Sequence, residues 1–141
     1  MKKILQIALA AAFFAGCASN SVNSNSTKSV ELTQNQPLQI EKIIVKGKML
    51  EAKNAEEIPN ISFDKNKFYG YAGCNRFFGS YQNSGTSLQF EGAASTQMLC
   101  HPLDVMDFEN SLLSNLKGEF KMTKEDNKLI LSSENMTIYF K

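Results

Sequence analysis

The chain has 141 residues, of which 43% are hydrophobic and 21% charged, and this ordinary globular composition excludes a wholly disordered or fibrous protein. Fifteen basic and fourteen acidic side chains give a formal net charge of +1, which excludes the concentrated basic surface that nucleic-acid binding requires. A single histidine, His101, and three cysteines leave little material for a multi-ligand metal site or for histidine-centred catalysis, so no metal and no cofactor is expected.

The first 16 residues are typical of a signal peptide. Lys2 and Lys3 precede an apolar run over residues 4–14, which is too short to span about 30 Å of hydrocarbon. The run ends in Phe14-Ala15-Gly16-Cys17, which resembles the lipobox of bacterial lipoproteins. In that family the signal is cut before the cysteine, whose thiol receives a diacylglycerol. The resemblance therefore implies removal of residues 1–16 and lipidation at Cys17, with an uncleaved apolar helix as the alternative.

The residue after the cysteine bears on the location of the protein. Ala18 stands where an aspartate would resemble an inner-membrane retention signal, so we predict a lipid-anchored protein of the bacterial outer membrane that faces the periplasm. Buried acyl chains, at about 0.8 kcal/mol per methylene, would make the membrane a stable partner. Removal of residues 1–16 leaves 13 basic and 14 acidic side chains, so the mature chain still lacks the charge to bind nucleic acid.

Residues 17–37 are predicted to be the lipidated cysteine and a flexible tether. Serine, asparagine, threonine and glutamine dominate this stretch, and its few apolar groups cannot offset the entropy cost of ordering the chain. The alternative is an additional N-terminal strand around Val30 and Leu32. We place the start of the folded domain at Leu38, so that the domain spans residues 38–141.

From Leu38 onward, short runs of β-branched and aromatic residues are separated by Lys, Asn, Gly and Pro, as in strands joined by hairpins. The runs lie at Leu38–Val45, 61–63, 68–71, 87–91, 119–123, Lys128–Ser132 and Met136–Phe140. At this spacing they predict seven or eight strands.

One segment has a helical period instead. Between residues 102 and 117 the apolar side chains recur on one helix face, at Val105, Phe108, Leu112 and Leu116. Pro102 suits the first turn of a helix, and Lys117-Gly118 suits its end. Glu109 falls at the edge of the apolar stripe, where a carboxylate needs a hydrogen-bonding partner. The patterns together predict an α+β domain with one long helix near residues 102–117.

Three ordered motifs resemble the META domain family, and more narrowly its HslJ-like lipoproteins. The motifs are residues 70–81 (GYAGCNRFFGSY), 94–100 (ASTQMLC) and 106–109 (MDFE). The resemblance covers roughly residues 38–141. It implies a twisted, partly open antiparallel β-barrel packed against one long helix. It also implies an envelope protein associated with heat or envelope stress and with novobiocin tolerance, and no established catalytic activity.

The first motif contains the turn at which we expect a site. Gly73 and Asn75 suit a tight connection between two strands, because glycine and asparagine accept positive φ angles. Asn75, Arg76, Phe78 and Tyr81 are a candidate partner-recognition patch, since arginine and aromatic side chains dominate binding hot spots. The alternative is that these residues only shape the turn and fill the core.

The second and third motifs each contribute one residue to this candidate site. Thr96 comes from the second motif and Glu109 from the third. We expect the Glu109 carboxylate to reach either Arg76 or the amides of the turn, and so to join the helix to the hairpin.

One of the three cysteines is predicted to carry the lipid, and the other two lie in the predicted domain. With Cys17 lipidated, Cys74 and Cys100 remain as a pair in an oxidising compartment, which favours a disulfide. Closing a loop of about 27 residues would stabilise the domain by roughly 3 to 4 kcal/mol. Two buried free thiols are the alternative, because sequence does not give the separation of the Cα atoms.

A soft-metal site and an active site are weaker hypotheses. Thioether, thiolate and imidazole groups that suit Cu(I) come from Met98, Cys100 and His101, with Met106 and Met122 as further candidates. Cysteine or serine nucleophiles would have to share the same histidine, and no motif marks a residue to orient it. We therefore predict that the protein is not an enzyme.

These observations favour a non-catalytic binding domain whose partner is an unidentified envelope protein. The alternative is a lipid-binding or secretion-pilot-like carrier, in which an open barrel holds an apolar ligand or the hydrophobic tail of a partner. The carrier requires a lined apolar cavity, whereas the binding domain requires a barrel filled by its own side chains.

Overall fold

The computed structural model describes residues 29–141, so the predicted signal peptide, Cys17 and the tether up to residue 28 lie outside the described residues. Nine strands and one helix follow one another in the order β1 (Leu38–Val45), β2 (Lys48–Leu50), β3 (Asn60–Asp64), β4 (Lys67–Tyr71), β5 (Arg76–Asn83), β6 (Ser87–Ser95), α1 (Leu103–Asn115), β7 (Gly118–Glu125), β8 (Lys128–Ser132) and β9 (Met136–Phe140). Within this range no helix has the length and apolarity that crossing a membrane requires.

Eight of the strands close into an antiparallel barrel. Strands β3 to β9 pair in chain order, and β1 pairs with both β9 and β3 to complete the ring. The β1–β3 seam is narrow, with only Leu38 opposite Ile61 and Gln39 opposite Asn60, while β2 pairs with the second half of β1 outside the ring. The predicted α+β barrel with one helix is confirmed, and the barrel is closed rather than partly open.

Aromatic rings fill the barrel. Every second side chain of the strands points inward, and the inward set is large and apolar. On the strands, the rings that are at most 2% exposed belong to Phe63, Phe68, Phe77, Tyr81, Phe90, Phe120 and Phe140. Phe90 packs edge-on against Phe68 at 5.0 Å and against Phe120 at 5.3 Å between ring centroids. This aromatic cluster gives the barrel a solid core, so its interior is not a ligand cavity.

The helix lies across the end of the barrel at which β4 turns into β5. Its side chains Val105, Phe108 and Leu112 are buried, together with Leu116 just beyond its last turn, as the periodicity predicts. The helix begins at Leu103 and ends at Asn115, one to two residues inside the predicted limits. The apolar stripe therefore determines which face of the helix meets the barrel.

The opposite end of the barrel is covered by residues 29–37, which we call the N-terminal strap. The backbone N–H of Val30 donates to Gly85 O in the β5–β6 turn at 3.2 Å. The backbone N–H of Lys65, in the β3–β4 turn, donates to the Gln34 side chain at 2.9 Å. Leu32 is only 7% exposed and belongs to the main core. The strap thus closes the end of the barrel farthest from the β4–β5 turn.

The strap corrects the predicted boundary at Leu38, because packed structure begins before that residue. The polar composition of residues 29–37 suggested a free tether, but a single buried leucine and backbone bonds to two turns hold the segment in place. Its one bridge, between Gln34 and Phe63, is too short to be a strand.

Candidate functional site

The β4–β5 turn is shaped by Gly73. This residue has φ +114°, a conformation that L side chains rarely adopt, and a Cβ atom there would lie 3.1 Å from Val105 Cγ1 of the helix. The Tyr71 hydroxyl donates to Gly73 O at 2.8 Å, and the backbone N–H of Ala72 donates to Asn75 O at 2.9 Å. A glycine is therefore required here both by the backbone angle and by the close approach of the helix.

Asn75 acts through its side chain, not through a positive φ angle. Its Nδ2 donates to Met98 O at 2.9 Å, and its Oδ1 accepts from Met98 N at 2.7 Å and from Thr96 Oγ1 at 2.8 Å. Thr96 Oγ1 also accepts from the backbone N–H of Arg76 at 3.2 Å. The amide of Asn75 thereby holds the loop after β6 against the turn, which is a structural task.

Glu109 joins the helix to the same turn. Its Oε2 accepts from the backbone N–H groups of Cys74 at 3.1 Å and Asn75 at 2.6 Å, and its Oε1 accepts from Asn75 Nδ2 at 2.6 Å. The carboxylate is 3% exposed. Of the two partners expected for Glu109, it bonds to the turn amides, and it forms no salt bridge with Arg76. These bonds supply the partners that a buried carboxylate requires.

A disulfide between Cys74 and Cys100 ties the turn to the loop that precedes the helix, with a Cα–Cα distance of 5.8 Å. This is the predicted bond, and it contradicts the alternative of two free thiols. It also contradicts the copper hypothesis, because Cys100 has no thiolate to offer. The same bond removes both cysteines as nucleophiles, and Thr96 Oγ1 is held between Asn75 and Arg76 with no bond to His101.

Two of the four residues of the predicted recognition patch are exposed and two are buried. Arg76 and Phe78 are exposed, and Phe78 keeps 60% of its surface accessible. Asn75 and Tyr81 are only 2% and 1% exposed, so neither can touch a partner. This corrects the prediction for Asn75 and Tyr81: the first bonds to Glu109 and the second packs in the aromatic core, with its ring 5.0 Å from that of Phe63.

The exposed part of the patch belongs to what we call the hairpin face, the outward side of β4 and β5. The strand register forms three rows on this face, with Tyr71 opposite Arg76, Tyr69 opposite Phe78, and Lys67 opposite Ser80. Tyr69 is 46% exposed. Two neighbouring rows therefore present aromatic rings and an arginine to solvent.

Next to the first row lies a cleft of about 670 Å³, which we call the turn cleft. Its walls come from the β4–β5 turn, the loop around the disulfide and the loop that follows β2, and its lining includes Glu56, Glu57, Tyr71, Arg76, Met98 and His101. Burial raises the pKa of Tyr71 above its usual value of 10.0, and Glu56, Glu57 and Glu109 raise it further, while Arg76 lowers it. Burial is the largest of these causes, and three carboxylates act on the phenol against one guanidinium.

Sequence reasoning missed Glu56, Glu57 and Tyr69. The outward position of Tyr69 could have been read from its alternation with Phe68 and Gly70 along β4. No local pattern could have placed the two glutamates, because they follow β2 in a loop that reaches the cleft only when the barrel closes. Among the described residues there is no group of three or more His, Cys, Asp or Glu side chains that could hold a metal ion.

Comparison with known proteins agrees with this architecture. Heat shock protein HslJ of Escherichia coli (strain K12) is 28% identical to this chain over 142 residues, which is 100% of this chain and 96% of the relative. One solved NMR structure, 28% identical, superposes with a TM-score of 0.58 over 77% of this chain and 89% of its own. Another, of a protein from Burkholderia xenovorans, is 18% identical, with a TM-score of 0.60 over 76% of this chain and 81% of its own.

The META domain family model matches residues 30–141, so the match begins inside the N-terminal strap and runs through the last strand. It includes the turn of Gly73 and Asn75, the loop of Thr96 and the helix of Glu109, which the hydrogen bonds described above hold together as one unit. Since this match covers the whole barrel and its helix, the chain belongs to the META domain family.

Proposed function

We propose that the protein is a non-catalytic lipoprotein of the bacterial outer membrane whose META domain binds an envelope protein through the hairpin face. The observation that carries this proposal is the exposure of Phe78 and Tyr69 beside Arg76 on a hairpin that the disulfide and Glu109 hold rigid. Exposed aromatic side chains at paired positions of neighbouring strands form an apolar patch of the kind that marks interaction sites.

The residue types of this surface are those that carry binding energy at protein interfaces. Tyrosine, phenylalanine, methionine and arginine are enriched at interface centres, and the hairpin face adjoins Met98, which is 58% exposed. Because the turn is fixed by Asn75, Glu109 and the disulfide, binding would cost little ordering of the backbone. Such a surface supports recognition of a protein better than catalysis.

The proposed lipid anchor at Cys17 would orient this surface. The N-terminal strap crosses the barrel end formed by the β3–β4 and β5–β6 turns, and the β4–β5 turn lies at the other end of the same strands. A tether that leaves the strap therefore starts at the end nearest the membrane. The turn cleft would then face away from the membrane, into the periplasm.

A role in heat or envelope stress tolerance, including tolerance of novobiocin, is part of the proposal. It is supported by the membership of the META family and by the relative that is named a heat shock protein. The alternative of a carrier with an apolar ligand inside the barrel has no support from the geometry, because the ring of Phe90 and its neighbours occupy that space.

Site-specific photo-crosslinking in cells tests the binding function. A photoreactive amino acid replaces Phe78 in the full chain, and in a matched control it replaces Met49, which is 57% exposed on β2. We expect one reproducible protein adduct from position 78 and none from position 49. In a deletion strain, Phe78→Ala should fail to restore growth under heat or novobiocin, whereas Met49→Ala should restore it.

The proposal is overturned if position 78 yields no protein adduct, or if Phe78→Ala restores growth fully at wild-type protein levels. The anchor is tested separately by labelling with radioactive palmitate, which should be incorporated into the wild-type chain and not into Cys17→Ala. Incorporation into Cys17→Ala would place the lipid elsewhere.

A further inference from the structure

A second depression lies on the hairpin face, at the row next to the turn cleft. It is a shallow groove of about 600 Å³ that runs over β4, β5 and β6, with Tyr69 and Phe78 on one side and Ala93 and Ala94 on the other. A Cβ atom at Gly79 would overlap the carbonyl oxygen of Gly92 and the buried ring of Phe68, so this position of β5 faces the barrel interior. Gly79 therefore contributes only backbone to the groove, whose outward side chains on β4 and β5 include Tyr69 and Phe78.

The cleft and the groove lie at neighbouring rows of the hairpin face. Tyr71 and Arg76 line the cleft, and Tyr69 and Phe78 line the groove. Rows two residues apart along a strand are separated by about 7 Å, and side chains i and i+2 of an extended peptide have the same spacing. A segment lying along the strands could thus place one side chain in each depression.

The charges of the cleft select the kind of side chain that it can take. Glu56 and Glu57 are exposed, and within residues 29–141 neither forms a salt bridge. The nearest cation of their loop, Lys53, is engaged with Glu51 at 2.6 Å. Arg76 also lines the cleft, so its lining carries two carboxylates against one guanidinium and has an acidic excess.

The wall that carries the glutamates is held in place. Asn54 Nδ2 donates to Asp104 Oδ2, in the first turn of the helix, at 2.8 Å. The loop therefore rests on the helix, and Asp104 adds a further carboxylate beside it. Two glutamates in a cleft that is also lined by Tyr71 and Met98 suit the long apolar stem and charged head of lysine or arginine.

We propose that the turn cleft and the groove together bind an extended segment of the partner protein, with a lysine or arginine between Glu56 and Glu57 and, two residues away, an apolar side chain over Tyr69 and Phe78. This inference rests on the proposed binding function and specifies the chemistry of the partner. Recognition of alternate side chains of an extended chain gives the interface both its direction and its specificity.

Selection of peptides on the immobilised full chain tests the inference. A library of random twelve-residue peptides is displayed and selected in low salt, and the enriched peptides are titrated in solution. We expect lysine or arginine two positions from an aromatic or aliphatic residue. The double variant Glu56→Gln/Glu57→Gln should weaken the Kd of these peptides about tenfold, since it removes two exposed charge contacts. The matched control Glu119→Gln, an exposed glutamate on β7, should leave the Kd unchanged.

Other outcomes overturn the inference while leaving the binding function intact. Selected peptides that lack the basic residue, or that bind the double variant as tightly as wild type, exclude the proposed chemistry even if the crosslink at Phe78 is found. Peptides that bind without any loss in Phe78→Ala place the interface elsewhere. Binding of anionic phospholipid vesicles that is abolished by Phe78→Ala would make the occupant a membrane surface and would also overturn the inference.

Discussion

Glu109 and Asn75 are joined by two hydrogen bonds of 2.6 Å, one from the backbone N–H and one from the side-chain amide of Asn75. The two residues are 34 positions apart, so the pair fixes the helix to the β4–β5 hairpin. The carboxylate is 3% exposed and its partners are all amides. A buried charge held by neutral donors depends on each of them, because no cation compensates for a missing bond.

Glu109→Gln should lower the free energy of unfolding by about 2 to 3 kcal/mol, because it brings an NH₂ group against N–H groups, which can only donate. Urea denaturation followed by circular dichroism measures the change. Glu119→Gln, on the exposed face of β7, is the control and should stay within about 0.5 kcal/mol of wild type. A change of similar size in both variants would show that Glu109 does not hold the helix to the hairpin.

Asn75 should be energetically coupled to Glu109. In a double-mutant cycle, the loss for Asn75→Ala combined with Glu109→Gln should be smaller than the sum of the single losses by about 1 to 3 kcal/mol, because both substitutions act on the bond from Asn75 Nδ2 to Glu109 Oε1. Urea midpoints of the four proteins give the coupling. Additive losses would contradict the side-chain bond between the two residues.

Removal of the disulfide in Cys74→Ala/Cys100→Ala should lower the free energy of unfolding by about 3 to 4 kcal/mol, since the bond closes a loop with a sequence separation of 26 residues. Reduction of the wild-type protein should have a similar effect and is the internal control. Two thiols that react with an alkylating reagent in the native, unreduced protein would disprove the bond.

Tyr81→Phe should leave the free energy of unfolding unchanged or raise it by about 1 kcal/mol. The Tyr81 hydroxyl is buried and has no hydrogen-bond partner among the described residues, so its removal relieves a desolvation cost. Tyr139→Phe is the control, because that ring is partly exposed beside Lys42 at 4.9 Å. A loss of more than about 1 kcal/mol in Tyr81→Phe alone would reveal a partner for the hydroxyl.

The features that follow from local sequence patterns could be predicted, whereas those that depend on closure of the barrel could not. The helix was predictable because Val105, Phe108 and Leu112 repeat at its own period, and their burial depends only on having some apolar partner. The sequence predicts that Glu109 has a hydrogen-bonding partner, since a carboxylate at the edge of an apolar stripe needs one. Its choice of the turn amides over Arg76 was not predictable, because that choice depends on which side chain of β5 points inward.

Residues of the N-terminal strap and of the turn cleft could not be placed from local sequence patterns. Leu32 is one apolar residue in a polar segment, so no period marks it, and its burial follows from a barrel end that only the complete ring creates. Glu56 and Glu57 have the same origin, because the loop that carries them is placed by the helix through Asn54 and Asp104. Asn75 was identified as a site residue by its motif, but the burial that excludes it from a binding surface is a property of the packed turn.

The last prediction concerns Tyr71, whose phenol reports the charge of the turn cleft. Burial raises its pKa first, then Glu56, Glu57 and Glu109, while Arg76 lowers it. Glu56→Gln/Glu57→Gln should therefore bring the pKa of Tyr71 down without reaching the usual 10.0, and Arg76→Gln should raise it. Because the pKa of Tyr71 is higher in the folded than in the unfolded protein, its protonated phenol contributes to stability. This contribution is complete below pH 10 and is lost as the pH rises through the pKa of the folded protein. NMR of ¹³Cζ-labelled tyrosine follows the titration, and Tyr139 in the same spectra is the control. If the pKa of Tyr71 were the same in the wild type and in both variants, the charges of the turn cleft would not act on this phenol.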